Sequence, residues 1–216
     1  MNKYQNKYRI PSARLNNWNY GAAGAYFITI CTRNREHFFG KIVQKEMILN
    51  AIGKKVEEEW LKTIELRPDM NLELGNFVVM PNHFHAILII GENEYNNKTP
   101  VDSELDSRLG LRSDSQMDSR CRDAMHRVSA NPDHDTHPDM ENKFGPQSKN
   151  LGSIVRGFKS AVTIYSKINA LHCGSINFGW QARFHDHIIR NAVEFERIQK
   201  YIANNVENWD KDKFYK

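Results

Sequence analysis

The stretch that most restricts how this chain can fold is Phe77-Val78-Val79-Met80-Pro81-Asn82-His83-Phe84-His85-Ala86-Ile87-Leu88-Ile89-Ile90. Two apolar β-type runs, Leu72 to Met80 and His83 to Ile90, meet at Pro81-Asn82, and so short a junction predicts an antiparallel hairpin. Their continuous apolar character places the strand pair in the middle of a sheet. Side chains alternate faces along a strand, so His83 and His85 point the same way and Phe84 points to the other side. Two imidazoles on one rigid strand can grip one metal ion, although the pair also reads as polar residues at a strand start.

Elements on either side of the hairpin follow from periodicity. Ala25 to Thr32 is rich in β-branched and aromatic residues and reads as a first strand, with Arg33 and Arg35 at its exit. From Glu46 to about Ile64, Leu49, Ile52, Val56, Trp60 and Ile64 recur at three- and four-residue steps, an amphipathic helix ended near Pro68 with Trp60 in the core. A second helix carries Leu151, Ile154, Val155, Phe158, Val162 and Tyr165, with Arg156, Lys159 and Lys167 on its flank. Ile176 to Ile189 has strand-like content. A last helix starts at Asn191, which can cap it, with Glu194 at capping-box spacing, and runs to about Asn205.

Between these elements, residues 91–149 are dominated by Asp, Ser, Asn, Arg and Pro and read as a polar, flexible insertion, with His126, His134 and His137 solvated. That segment also hides a charge asymmetry. It carries 12 acidic and 8 basic side chains, which leaves 14 acidic and 22 basic in the remainder. A basic folded part suits a polyanion partner. Residues 1–23 mix Lys3, Lys7, Arg9 and Arg14 with Tyr4, Tyr8, Trp18 and Tyr20, which fits either phosphate contact with base stacking or a terminal segment packed over the sheet. No run approaches the ~18 apolar residues of a membrane span. Met1 to Lys7 lacks the apolar segment of a secretory signal, so a soluble, cytoplasmic protein is expected. Cys31, Cys121 and Cys173 are far apart and suggest neither a disulfide framework nor a thiolate zinc site.

In the last helix, Phe195, Ile198 and Ile202 form the core stripe, while Tyr201 and Asn205 sit one above the other on an adjacent face. If that face looks onto the strand of His83 and His85, a metal held by the histidines and the Asn205 amide oxygen lies beside the Tyr201 phenol. A nucleophile next to a Lewis acid is what phosphodiester cleavage requires. The plainer reading of Tyr201 is a core-edge residue with its hydroxyl in water.

Three ordered segments carry a resemblance: Phe77 to His85, then Trp180-Gln181-Ala182-Arg183-Phe184-His185-Asp186-His187-Ile188-Ile189-Arg190-Asn191, then Arg197-Ile198-Gln199-Lys200-Tyr201-Ile202-Ala203-Asn204-Asn205. Together they resemble the REP-associated tyrosine transposases, relatives of the single-tyrosine insertion-sequence 200-like transposases in the HUH nuclease superfamily. The likeness spans nearly the whole chain apart from 91–149. It implies a single α+β domain of the ferredoxin-like type, a central, mainly antiparallel sheet packed with helices. It also implies that His83 and His85 are metal ligands, Asn205 the third ligand and Tyr201 the nucleophile. One departure is Val206, which stands where the family commonly has proline after two asparagines.

The expected function is that of a metal-dependent single-stranded DNA endonuclease and strand transferase, acting at hairpin-associated sites through a 5'-phosphotyrosyl intermediate. Mg2+ or Mn2+ serves as cofactor, and single-stranded or hairpin DNA is the partner. The oligomeric state is left open, a homodimer being one option. Arg14, Arg33, Arg35, Arg156, Lys159, Arg183 and Arg190 are candidates for DNA-backbone contact. Two alternatives stay in view: a non-catalytic DNA-hairpin-binding protein, and a metal-dependent hydrolase with water as nucleophile.

Overall fold

The β-branched run Gly24–Cys31 forms strand β1, which lies inside a sheet with a neighbour on each side. The computed structural model describes residues 18–96, 148–173 and 177–215. Within them follow β2 (Gly40–Val43), β3 (Glu46–Leu49), α1 (Ala51–Leu61), β4 (Leu72–Val79), β5 (His83–Ile90), α2 (Leu151–Cys173), β6 (His185–Ile189) and α3 (Ala192–Ala203). Arg14, the arm before Trp18 and nearly all of the expected insertion, with Cys121, His126, His134 and His137, lie outside the described residues.

Strands β4, β5, β1 and β6 pair antiparallel in that order, and β2–β3 is a separate hairpin. Setting the hairpin aside, the chain runs strand, helix, strand, strand, helix, strand, and this connectivity with this order is ferredoxin-like. The α+β expectation therefore holds. Only half of the motif hairpin is central, however: β5 is an inner strand and β4 an edge. The apolar content of β4 has another cause, since α3 packs against it on one side and α1 on the other.

Strand alternation splits the sheet into two apolar faces. Ile28, Ile30, Phe84, Ala86 and Leu88 face Val56 and Trp60 of α1 and Leu151, Ile154, Phe158 and Val162 of α2 in the main core. Phe84 is fully buried and meets Trp60 and Phe158 with ring centroids 5.1 and 5.4 Å away. On the opposite face Ile87 and Ile189 pack against Ile198 and Ile202 of α3. Phe84 thus anchors β5 in the core while the histidines beside it turn toward α3.

Several boundaries differ from the periodicity reading: the first helix ends at Leu61 rather than about Ile64, and the last ends at Ala203, which leaves Asn205 in the turn beyond it. The helix expected from Glu46 starts only at Ala51, because Glu46–Leu49 is β3. Gln44 and Lys45, with φ of 51° and 64°, close a two-residue turn of the mirror-image kind that matches strand twist. The Asn50 side chain then accepts the Gly53 N–H at 3.0 Å and caps α1. Of the strand-like stretch Ile176–Ile189, the described residues hold β6 plus one bridge, Thr32 with Trp180. At α3 the expected cap is present: Asn191 accepts the Glu194 N–H at 2.8 Å. The returning bond is displaced by one residue, since the Glu194 carboxylate takes the Arg190 N–H at 3.0 Å. Among the described residues no helix is long and apolar enough to cross a membrane.

Candidate functional site

The site is built at the Pro81-Asn82 reversal. Asn82 is fully buried, and its Nδ2 donates to the Arg35 carbonyl at 3.2 Å and to the Phe214 carbonyl at 2.9 Å. Both partners only accept, so the amide cannot be turned round, and its Oδ1 must face His83 Nδ1 2.9 Å away. Nδ1 of His83 therefore carries the ring proton. The other nitrogen, Nε2, is left as a bare lone pair.

That lone pair is buried without a hydrogen-bond partner, and so is the Asn205 Oδ1; among the described residues one further such atom exists, Trp60 Nε1 in the main core. Buried acceptors without donors are costly, and a pair of them at one place is what a site for a cation looks like from the protein side. His85 lies beside them, its ring centroid 4.5 Å from that of His83. Its Nδ1 meets the Thr29 hydroxyl at 2.8 Å and its Nε2 the Tyr201 hydroxyl at 3.2 Å. In the tautomer that donates Nδ1–H to Thr29, the Tyr201 O–H occupies the Nε2 lone pair, the one an ion would use.

A fourth group joins them. One ligand atom each from His83, His85 and Asp212 lies within 4.8 Å of the others. Two neutral imidazoles, a carboxylate and an amide oxygen form a mixed nitrogen and oxygen set that fits a divalent cation of intermediate hardness. Both imidazoles are held in the neutral, ligating form. Burial, then repulsion from His85, Lys213 and Arg35, pushes His83 down to about 2, and burial with Lys213 pushes His85 down to about 3. Tyr201 is 42% exposed and therefore open to a substrate. Its phenol is raised above its usual range by burial and by the Asp212 charge, against the lowering effect of the Asn205 amide.

The segment after α3 closes the site. Phe214 packs over His83 with centroids 4.6 Å apart, and Trp209 lies 5.9 Å from the same ring. Val206 joins Cys31, Met80, Trp209 and Phe214 in one apolar cluster. It thereby helps anchor the tail that carries Asp212.

The structure brings His83, His85, Tyr201 and Asn205 together on one sheet face. The candidate DNA contacts are not gathered with them in the same way. Arg35 does sit at the site, its guanidinium 4.9 Å from the Phe214 ring centre and bonded to the Lys213 carbonyl at 3.2 Å. Arg33 is tied to the Asn177 carbonyl and side chain, 2.7 Å each, and Lys159 to the Gln181 carbonyl at 2.6 Å. Arg156, Arg183 and Arg190 are exposed. Sequence reasoning missed Asn82 as the group that fixes His83, although it stands inside the motif. It also missed Asp212 and Phe214, which lie beyond the last periodic helix, where no spacing signals them.

No family model matches the chain. A solved structure described as a REP-associated tyrosine transposase bound to a REP hairpin aligns with a TM-score of 0.48 and 17% identity, over 94% of this chain and 77% of that one. A protein of Haemophilus influenzae described as uncharacterized is 32% identical over 205 residues, 94% of this chain and 92% of that protein. At that identity and coverage, the chain belongs to the same protein family as this uncharacterized Haemophilus influenzae protein.

Proposed function

We propose that this protein is a metal-dependent single-stranded DNA endonuclease and strand transferase with Tyr201 as its nucleophile. One observation carries the reading: two buried acceptors without donors, His83 Nε2 and Asn205 Oδ1, lie beside a Tyr201 hydroxyl that is itself bonded to His85 Nε2 at 3.2 Å. His83, His85, Asn205 and Asp212 would hold Mg2+ or Mn2+. When bound, the ion supplies charge neutralisation and positioning at the scissile phosphate.

The chain's own groups do the rest. Asn82 and Thr29 hold the two imidazoles in register. Tyr201 Oη attacks phosphorus, the P–O3' bond breaks, the phenolic proton is lost to a base or to water, and the departing oxygen takes up a proton as a 3'-hydroxyl. The product is a 5'-phosphotyrosyl ester, which conserves the bond energy for rejoining. A second 3'-hydroxyl reverses the step at a new junction. A phenol held above its usual pKa is a poor nucleophile by itself, so the reading requires positive charge at the site during attack.

The test is to incubate end-labelled single-stranded hairpin DNA with the full chain and Mn2+ and to look for an adduct that survives denaturation. The adduct is expected with the unmodified protein and absent in Tyr201→Phe; an adduct that persists in that variant sinks the nucleophile. Cleavage without adduct points instead to a hydrolase that uses water, and binding without cleavage to a hairpin-binding module.

A further inference from the structure

Outside the histidine pocket, a cleft of about 290 Å³ runs along the exposed side of α3 and past its end. Arg197, Lys200, Asn204, Asn208 and Lys211 line it, and the Tyr201 ring borders it, with Asn205 and Asp212 at the side of the metal ligands. The spacing 197, 200, 204, 208, 211 continues the helical three- and four-residue step through the turn that follows Ala203. A single ridge of cations and amides therefore runs past the Tyr201 ring.

Charge and chemistry select the occupant. Three cations face one carboxylate, and that carboxylate already accepts the Phe214 N–H at 2.7 Å. The Arg197 side chain is 72% exposed and its recorded ion pair, with Glu194, is long at 3.7 Å. Lys200 and Lys211 are exposed as well. Apart from Tyr201, the described residues of the lining include no aromatic or aliphatic side chain, so no other group among them stacks a base or grips an apolar group. Such a lining matches a chain of phosphates and carries no sequence code.

We infer that this cleft is the track for the phosphodiester backbone of single-stranded DNA flanking the scissile phosphate, with Arg197, Lys200 and Lys211 as phosphate contacts. The inference rests on the reading of Tyr201 as nucleophile, because Tyr201 borders the cleft and would receive the scissile phosphate from it. It places the DNA contacts on α3 and its extension. Among the described residues, none of the basic side chains singled out from the sequence as DNA contacts lines it.

The measurement is fluorescence anisotropy of a labelled, mixed-sequence single-stranded oligonucleotide with the full chain in EDTA, across a salt series. Each phosphate contact on a single strand contributes about 0.7 to the slope of log affinity against log salt. The triple variant Arg197→Gln, Lys200→Gln, Lys211→Gln should flatten that slope by about 2 and weaken binding more than tenfold at low salt. Arg197→Lys, Lys200→Arg, Lys211→Arg should restore it. Neutralising Lys41, Lys54 and Lys62, which lie on β2 and around α1, should leave it unchanged, and circular dichroism verifies folding of every variant. An unchanged slope in the glutamine variant overturns the track, while the adduct assay still reports separately on Tyr201. A flattened slope in a protein that forms no adduct keeps the track and removes the nucleophile. Failure of the unmodified protein to bind single strands removes both.

Discussion

At the scale of single residues, the site depends on a tautomer. Asn82 bonds two carbonyls with its NH2 and His83 with its oxygen, so one amide fixes which imidazole nitrogen is free and ties the motif to the C-terminal tail. Partners of this kind typically control metal affinity by 10- to 100-fold. Asn82→Leu should lose about that factor in Mn2+ affinity by calorimetry, whereas Asn82→Asp, which keeps an acceptor for Nδ1–H, should lose less; equal losses would assign Asn82 a purely structural part. The buried histidines also set a pH dependence. Their folded values, about 2 and about 3, lie below the ordinary imidazole value, so from roughly pH 3 to 6.5 the unfolded chain binds more protons. Metal-free stability should therefore rise with pH up to about 6.5 and gain nothing further from these groups above it, with a slope of at most about 1.4 kcal/mol per pH unit for each histidine. Urea midpoints between pH 4.5 and 7.5 test this, and His83→Asn with His85→Asn should flatten the curve.

At the scale of elements, local pattern and tertiary demand part company around residue 46. Glu46-Met47-Ile48-Leu49 satisfies a helical stripe as well as a strand, and a two-residue turn made of Gln44 and Lys45 lacks the Asn-Gly signature that would reveal a hairpin. The helix start is fixed instead by Asn50 and by a close approach at Gly53. A Cβ on Gly53 would run into the Phe39 carbonyl oxygen and lie 2.9 Å from Leu49 Cδ2. Gly53→Ala should accordingly destabilise by about 1–3 kcal/mol in chemical unfolding, although alanine is the better helix former by roughly 1 kcal/mol. A stabilised variant would show that the loop yields at little cost. The motif strand and the last helix were legible because each has one unambiguous signal: an apolar run broken by Pro81-Asn82, and a cap at Asn191 with Glu194 beyond it.

At the scale of the whole molecule, the two ends of the undescribed segment are held together. The Tyr95 hydroxyl and the Lys149 ammonium share the same Asp69 oxygen, and Asn96 donates to the Gly21 carbonyl at 3.1 Å. Closing a loop costs little extra for each doubling of its length, about 0.6 kcal/mol. Replacing residues 98–147 by a short Gly/Ser linker should therefore leave the melting temperature within a few degrees and preserve metal binding; a large loss would make that segment part of the fold. The sequence by itself determined the α+β class through its resemblance to a known family, and, through local burial periodicity, the strand that carries His83 and His85 and the helix that carries Tyr201, with Asn205 two residues past its end. Tertiary structure alone decided that β4 is an edge strand, that Asn82 sets the His83 proton, and that Asp212, Phe214 and the cationic ridge reach the same place. The contacts of Asn82 with Phe214 and of Asp212 with the two histidines join residues far apart in the chain, with no repeat between them, so only the packing of α3 and its tail onto one sheet face brings them together.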